Sequence, residues 1–164
     1  MAKNREKKEI IKEEKELEQK VIDLARVTRV VAGGKRMRFR ACLAVGDKRG
    51  HVGLAIAKGA DVSIAINKAL TAAKKKMVKV KIVNETIPHR IVEKFKAAYV
   101  LLKPAPMGTG IIAGGPVRAI LDLAGIKNVV SKMMGSSNKV NNARAVINAL
   151  QKLRDIKTIN DLRK

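Results

Sequence analysis

Val27-Thr28-Arg29-Val30-Val31-Ala32-Gly33-Gly34-Lys35-Arg36-Met37-Arg38-Phe39-Arg40-Ala41 reads as one strand, a turn and a second strand folded back on the first. The β-branched run from Val21 to Val31 alternates roughly as a half-buried strand requires. Ala32-Gly33-Gly34-Lys35 supplies the turn, because Gly-Gly tolerates the positive φ of tight hairpins. From Arg36 to Val45, Arg36, Arg38 and Arg40 alternate with Met37, Phe39 and Ala41, so one face of the second strand is cationic. Gly46-Asp47-Lys48-Arg49-Gly50 is a second turn, and His51 to Ala57 a third strand. A helix follows from Asp61, a suitable N-cap, to about Lys76. Val62, Ala65, Ile66, Ala69, Leu70 and Ala73 form its apolar stripe. Lys74-Lys75-Lys76 lies where cations complement the helix dipole, and phosphate contact is an equal reading of that run. Residues 21–76 thus have the β-β-β-α order of the later part of a double-stranded-RNA-binding fold.

Working outward, residues 1–20 carry seven Lys and Arg against six Asp and Glu, with little apolar character. They are expected to form a solvated, partly helical extension. The remaining residues hold 29 cations against 8 acids, so the folded part carries +21 of the net +22. That excess repels itself unless a polyanion neutralises it, and nucleic acid is the default partner. The 164 residues are 46% apolar and only 2% aromatic, which predicts a core of Val, Ile, Leu and Ala. Three scattered aromatics, Phe39, Phe95 and Tyr99, make no stacking platform for a single strand. Recognition through phosphates and shape is expected instead. The lone Cys42 excludes a disulfide framework, and no run approaches the length of a membrane span.

Toward the C-terminus, Val83-Asn84-Glu85-Thr86 is a polar break, followed by extended runs at Ile87–Val92 and Phe95–Lys103. Pro104-Ala105-Pro106-Met107-Gly108-Thr109-Gly110-Ile111-Ile112-Ala113-Gly114-Gly115-Pro116 is dense in glycine and proline and is shaped for contact. It opens a short helix with Pro116 at its first position and Gly125 past its end. A strand at Ile126–Met133, a turn at Gly135–Asn138 and a last helix complete a second α+β unit. The expected division is an extension at 1–20, a first domain at 21–83, a second at 84–157 and a tail at 158–164.

Several patterns fail as sites. Gly108-x-Gly110-x-x-Ala113 matches a dinucleotide fingerprint only formally, without the acidic residue that would hold a ribose. Gly110 and Gly115 have phosphate-loop spacing, but Pro116 stands where lysine is required. Gly50-His51-Val52-Gly53 resembles a KH-domain clamp, yet both flanks alternate as strands. His51 and His89 have no ligand partners at metal-binding spacing, and no nucleophile–base pair suggests itself. The expectation is a non-enzymatic protein with no cofactor and no metal. The rivals are a free-standing double-stranded-RNA-binding module and an enzyme using the glycine loop. The candidate RNA-binding residues are Arg26, Arg29, Gly33, Gly34, Lys35, Arg36, Arg38 and Arg40, with Lys48, Arg49, Lys58, Lys74 and Lys75 beside them.

Gly34-Lys35, Phe39-Arg40-Ala41, Ala44-Val45-Gly46-Asp47, Gly50 and Val52-Gly53 resemble the N-terminal signature of the S-five family of small-subunit ribosomal proteins. Gly108-Thr109-Gly110-Ile111-Ile112-Ala113-Gly114-Gly115 with Arg118 resembles that family's C-terminal loop. Ala32 stands where relatives often carry lysine, the basic residue here being displaced to Lys35 and Arg36. The resemblance implies a double-stranded-RNA-binding-like first domain and a second α+β domain with a left-handed βαβ crossover. It implies binding to small-subunit ribosomal RNA in the cytoplasm, contact with the fourth and eighth small-subunit proteins, and a place near the messenger RNA entry path. Roles in assembly and decoding accuracy are implied too, with the first hairpin near the spectinomycin site. The family's accuracy positions would fall at Gly110 and Arg118, on a protein boundary shared with Gly108, Gly114 and Gly115.

Overall fold

In the computed structural model, residues 17–154 are described. The first sheet runs β1 (Glu18–Val31), β2 (Gly34–Gly46), β3 (His51–Gly59) and β4 (Met77–Lys79), in that order and antiparallel throughout. Helix α1 (Val62–Lys74) joins β3 to β4, with Asp61 accepting the Val62 N–H as its cap. Two expectations change here. Residues 18–20 belong to the strand rather than to the extension, because β1 continues alongside β2 as far as Gly46. Residues 1–16, which with Leu17 make up the rest of the predicted extension, lie outside the described residues, as does the predicted tail. Short β4 was not anticipated; three residues carry too little pattern to be read.

The turn also differs from its expected form. Val31 pairs with Gly34, so the loop is Ala32-Gly33, and the left-handed backbone falls at Gly34, where φ is 144°. A side chain is disfavoured there; Gly33 and Ala32 do not have positive φ.

The second half contains β5 (Ile91–Phe95), β6 (Ala98–Pro104), β7 (Ile111–Ile112), helix α2 (Gly115–Ala124), β8 (Val129–Gly135) and helix α3 (Lys139–Gln151). Its sheet order is β5-β6-β8-β7, antiparallel except that β7 and β8 run parallel across α2, which makes β7–α2–β8 the βαβ unit. The strands sit later than expected. Lys96, at φ 53°, turns the chain between β5 and β6, while Ile87 is buried ahead of β5 without joining it. Likewise the N–H groups of Lys127 and Asn128 bond to the Glu85 carbonyl, which delays β8 to Val129. Helix α2 starts at Gly115, so Pro116 occupies the second position rather than the first. Either place suits proline, since first-turn N–H groups have no helical acceptor.

The core is aliphatic, as the composition demands. Leu43, Ile87, Leu102, Ile120, Leu121, Leu123, Ile126 and Leu150 are its largest fully buried side chains. Each full burial of this kind is worth roughly 1.5–3 kcal/mol. One face of the first sheet, through Leu43, Val45, Ala55 and Ala57, meets Ala69 and Ala73 of α1. Its other face sends Ala44 and Val52 into the same core as Val100, Leu123 and Leu150 of the second half. The first sheet is therefore covered on both sides at its base. At the junction the backbones touch: Lys48 N–H bonds to Leu123 O at 3.0 Å and Gly50 N–H to Ala124 O at 3.0 Å. A Cβ on Gly46 would lie 2.1 Å from Leu123 O, and one on Gly125 2.1 Å from Lys48 O.

Candidate nucleic-acid interface

β3 ends at Gly59 opposite Phe39, whereas β1 and β2 continue to Val31 and Gly34. Beyond Phe39 the hairpin is a two-stranded ribbon with neither face covered by a described helix. Its register decides what each face shows, because directly paired residues of an antiparallel ladder point the same way. Arg29 pairs with Arg36, Val27 with Arg38 and Ala25 with Arg40, and Arg40 pairs in turn with Lys58 of β3. Arg29, Arg36, Arg38, Arg40 and Lys58 therefore share one face. Val27, Thr28, Arg29, Arg36, Arg38 and Lys58 border a shallow groove of about 290 Å³ there. Arg26 and Lys35 fall on the opposite face, with Thr28 opposite Met37 between them.

The predicted cations do not all stand alike. Arg26, Arg29, Lys35, Arg36, Arg38 and Lys58 are exposed and have no carboxylate partner among the described residues. Arg40 is half-buried and gives an N–H to Asp23 Oδ2 at 3.1 Å, so it ties the ribbon's root to β1. Lys48 donates to Glu18 Oε1 at 2.5 Å, and that hydrogen bond raises its pKa. It is a turn residue at φ 56°, remote from the ribbon. Arg49 sits in the same turn, its N–H given to Asp47 Oδ1 at 2.8 Å. Lys74 and Lys75 end α1 as its last residue and its C-cap. The ribbon and its root thus gather six exposed cationic candidates, and the rest lie elsewhere or serve the fold. Sequence reasoning did not name Val27 and Thr28 as groove residues, since neither carries charge; the register sets Val27 beside Arg38 on the cationic face, while Thr28, whose pairing with Met37 turns its side chain to the other face, borders the groove between Val27 and Arg29.

Carboxylates explain the contrast. Glu18, Asp23, Glu85 and Glu93 pair with Lys48, Arg40, Lys127 and Lys152. Asp61 caps α1 and Asp47 holds its own turn, with His51 Nδ1 2.7 Å from its Oδ2. Burial pushes the Asp47 pKa up, but the N–H groups of His51 and Arg49 and the His51 ring outweigh this and lower it. Asp122 acts on Lys48 rather than on the ribbon. His89 accepts the Arg154 N–H at 3.0 Å. Cys42 is buried, and burial first, then Asp23, lifts its thiol to about 11.

The glycine loop is anchored at one side and open at the other. Gly110, at φ 73°, donates its N–H to the Oδ1 of buried Asn128 at 3.1 Å, and its carbonyl accepts from Val129 at 3.1 Å. Gly108 is left-handed at φ 88° and exposed. Gly114 is the N-cap of α2, where a Cβ would meet the flexible Met133 Cε at 2.3 Å. Gly115 precedes Pro116 inside the helix, where a larger residue would strain against the proline ring. Arg118 gives its backbone N–H to Gly114 O at 2.8 Å, while its exposed guanidinium pairs with no described residue. Met107 stands 72% exposed at the loop tip. The loop is separate from the ribbon, and no helix among the described residues is long and apolar enough to cross a membrane.

Two family models match this chain: ribosomal protein S5, N-terminal domain, over residues 17–81, and ribosomal protein S5, C-terminal domain, over residues 93–163. The chain belongs to the ribosomal protein S5 family. Small ribosomal subunit protein uS5 of Thermotoga neapolitana is 48% identical over 148 residues, covering 90% of this chain and 83% of that one. Its counterpart from Dehalococcoides mccartyi is 50% identical over 145 residues, covering 88% and 84%. Membership makes the chain a structural, non-enzymatic constituent of the small ribosomal subunit, with ribosomal RNA and other ribosomal proteins as its partners. The enzyme and free-standing-module alternatives fall with it.

Proposed function

We propose that the β1–β2 ribbon is the chain's principal probe of small-subunit ribosomal RNA. One observation carries this reading: the described carboxylates are spent on the framework, while Arg26, Arg29, Lys35, Arg36 and Arg38 are left exposed on a projecting hairpin. Arg29 even faces Arg36 across the ladder, an arrangement that costs stability in the free chain and suits a phosphate backbone. Lys58 extends the same cationic face; Lys48 and Arg40 serve the fold first. Each phosphate contact adds about 0.7–0.9 to the log–log salt slope of binding. Replacing Lys35 and Arg36 with alanine flattens the slope for a small-subunit RNA fragment by about one to two units. An unchanged slope means that these side chains point to water.

The second part of the reading concerns the glycine loop. The unpaired Arg118, the exposed Met107 and the open Gly108 suit contact with a neighbouring ribosomal protein, the fourth by family likeness and the eighth elsewhere. Near the messenger RNA entry path, such a contact biases the subunit between two states; about 1.4 kcal/mol of bias is a tenfold change in their ratio. Arg118→Leu and Gly110→Arg are expected to raise stop-codon readthrough in cells while each variant still enters cytoplasmic small subunits. Normal incorporation with unchanged readthrough reduces the loop to scaffolding.

A further inference from the structure

The first half of the chain passes into the second through a turn as tight as a hairpin tip. Val83 and Thr86 exchange both backbone hydrogen bonds, at 2.9 and 3.0 Å, around a two-residue loop. Both loop residues are left-handed, Asn84 at φ 50° and Glu85 at φ 63°. Asparagine suits the first place of such a loop, but the second favours glycine, and glutamate there carries strain. What glutamate supplies is a tie outward. Its carboxylate pairs with Lys127, and its carbonyl accepts the N–H groups of Lys127 and Asn128 at 3.0 and 3.1 Å. Thr86 makes a second tie, its Oγ1 accepting the Ala105 N–H at 3.3 Å. Both ties lead to the glycine loop. Ala105 begins the span, and Asn128 Oδ1 holds the Gly110 N–H that ends it at 3.1 Å. Between these ends Met107 and Gly108 are exposed, and the Thr109 N–H and hydroxyl close on the Pro106 carbonyl at 3.3 and 2.9 Å.

Asn128 is the informative member. It is only 4% exposed, and a buried amide is unfavourable unless its polar atoms are bonded. An apolar side chain would avoid that penalty but could not hold Gly110. We propose that Asn128 is a positioning residue of the glycine loop, and that the Asn84-Glu85-Thr86 turn fixes both ends of residues 105–110. Glu85 sets the backbone of Asn128, Asn128 sets Gly110, and Thr86 sets Ala105. The consequence for translation rests on the reading of this loop as an accuracy contact. A buried substitution at Asn128 then alters accuracy without changing any residue of the contact surface, because Met107 and Gly108 are presented in the wrong place.

Amide hydrogen exchange in the full chain tests the positioning, with the buried β6 residue Val100 as the reference for global stability. Asn128→Ala is expected to speed exchange at Gly110 about five- to tenfold relative to Val100, as loss of one local hydrogen bond does. Asn128→Asp keeps an acceptor oxygen and restores most of that protection. Thr86→Val acts in the same way at Ala105, and Thr86→Ser is its rescue. In cells, Asn128→Ala raises stop-codon readthrough and Asn128→Asp does not, with Gly110→Arg run beside them. If Gly110→Arg also leaves readthrough unchanged, the accuracy reading fails, and the exchange rates alone decide the positioning. A Gly110 amide that exchanges no faster in Asn128→Ala, or only in step with Val100, overturns the proposal. So does readthrough that rises in Gly110→Arg but not in Asn128→Ala.

Discussion

Two regions of this molecule handle the same residue types in opposite ways. At the junction of its halves, Gly46 and Gly125 stand where a Cβ would meet the facing backbone at 2.1 Å, and Asp47 is consumed by its turn. On the ribbon, Gly33 has open space around it, and Arg26, Arg29, Arg36 and Arg38 have no carboxylate partner among the described residues. The junction is explained by the chain itself. The ribbon is explained only by something outside the chain, and that asymmetry is what separates a structural residue from a recognition residue here.

The largest expected effect lies at the junction. Gly125→Ala sets a methyl against the Lys48 carbonyl at a residue whose φ is +82°. Overpacking and left-handed strain together cost roughly 3–4 kcal/mol, read as a lower urea midpoint. Gly46→Ala, with φ outside the left-handed region, is expected to lose somewhat less. If Gly125→Ala unfolds like the parent, the two halves slide at little cost and the contrast with the ribbon weakens.

Charge sharpens the contrast next. Arg36→Glu converts the Arg29–Arg36 pair from repulsive to attractive, and cross-strand pairs of this sort are worth about 0.2–1 kcal/mol. The free chain should gain stability by that order while its RNA affinity falls. Lys127→Ala and Lys152→Ala, whose partners are Glu85 and Glu93, should leave the salt slope of RNA binding where it was. Equal losses from both sets of lysines and arginines would mean that the chain attracts RNA by net charge alone.

How much of this was legible in the sequence follows from the same distinction. The hairpin, α1 with its Asp61 cap and the Gly125 end of α2 were readable because each rests on local rules of periodicity and capping. The places of β5 and β8 were not, since the left-handed Lys96 and the bonds to the Glu85 carbonyl are decided by tertiary packing. The arginine positions were readable as an alternation along β2. Which face β1 and β3 add to depends on register, so the grouping of Arg29 and Lys58 with Arg36 and Arg38 appeared only in the fold. Arg40 and Lys48 show the limit of composition: a basic residue in a basic chain still finds an acid when the fold brings one near.

Acid offers a smaller probe of the junction. The folded Asp47 carboxyl lies below its ordinary value of 3.8, so it binds its proton less readily in the folded chain than in the unfolded one. Its contribution is fully present above 3.8 and is lost as pH falls through the folded value. Asp47→Asn should therefore be less stable than the parent at neutral pH, with the gap in denaturation free energy narrowing only in strong acid. A gap that does not change with pH assigns the loss to turn geometry rather than to the charge.

The smallest expected effect on stability, and the most informative for recognition, is Gly33→Ala. Gly33 has neither a positive φ nor a neighbour within 4 Å of where a Cβ would stand, and it is exposed at the hairpin tip. A surface change of that kind stays within about 0.5 kcal/mol, in contrast to Gly34→Ala beside it, where φ 144° strains any side chain. Nothing inside the described chain therefore calls for glycine at residue 33. If its use is to let RNA approach the backbone, then Gly33→Ala weakens binding to the RNA fragment while thermal stability and the salt slope stay unchanged, because a steric contact adds no counterion release. Weaker binding with a flatter slope instead indicates that the tip has shifted and taken Lys35 with it. Unaltered binding confines the ribbon's contribution to its cations, and the tip then ends in solvent.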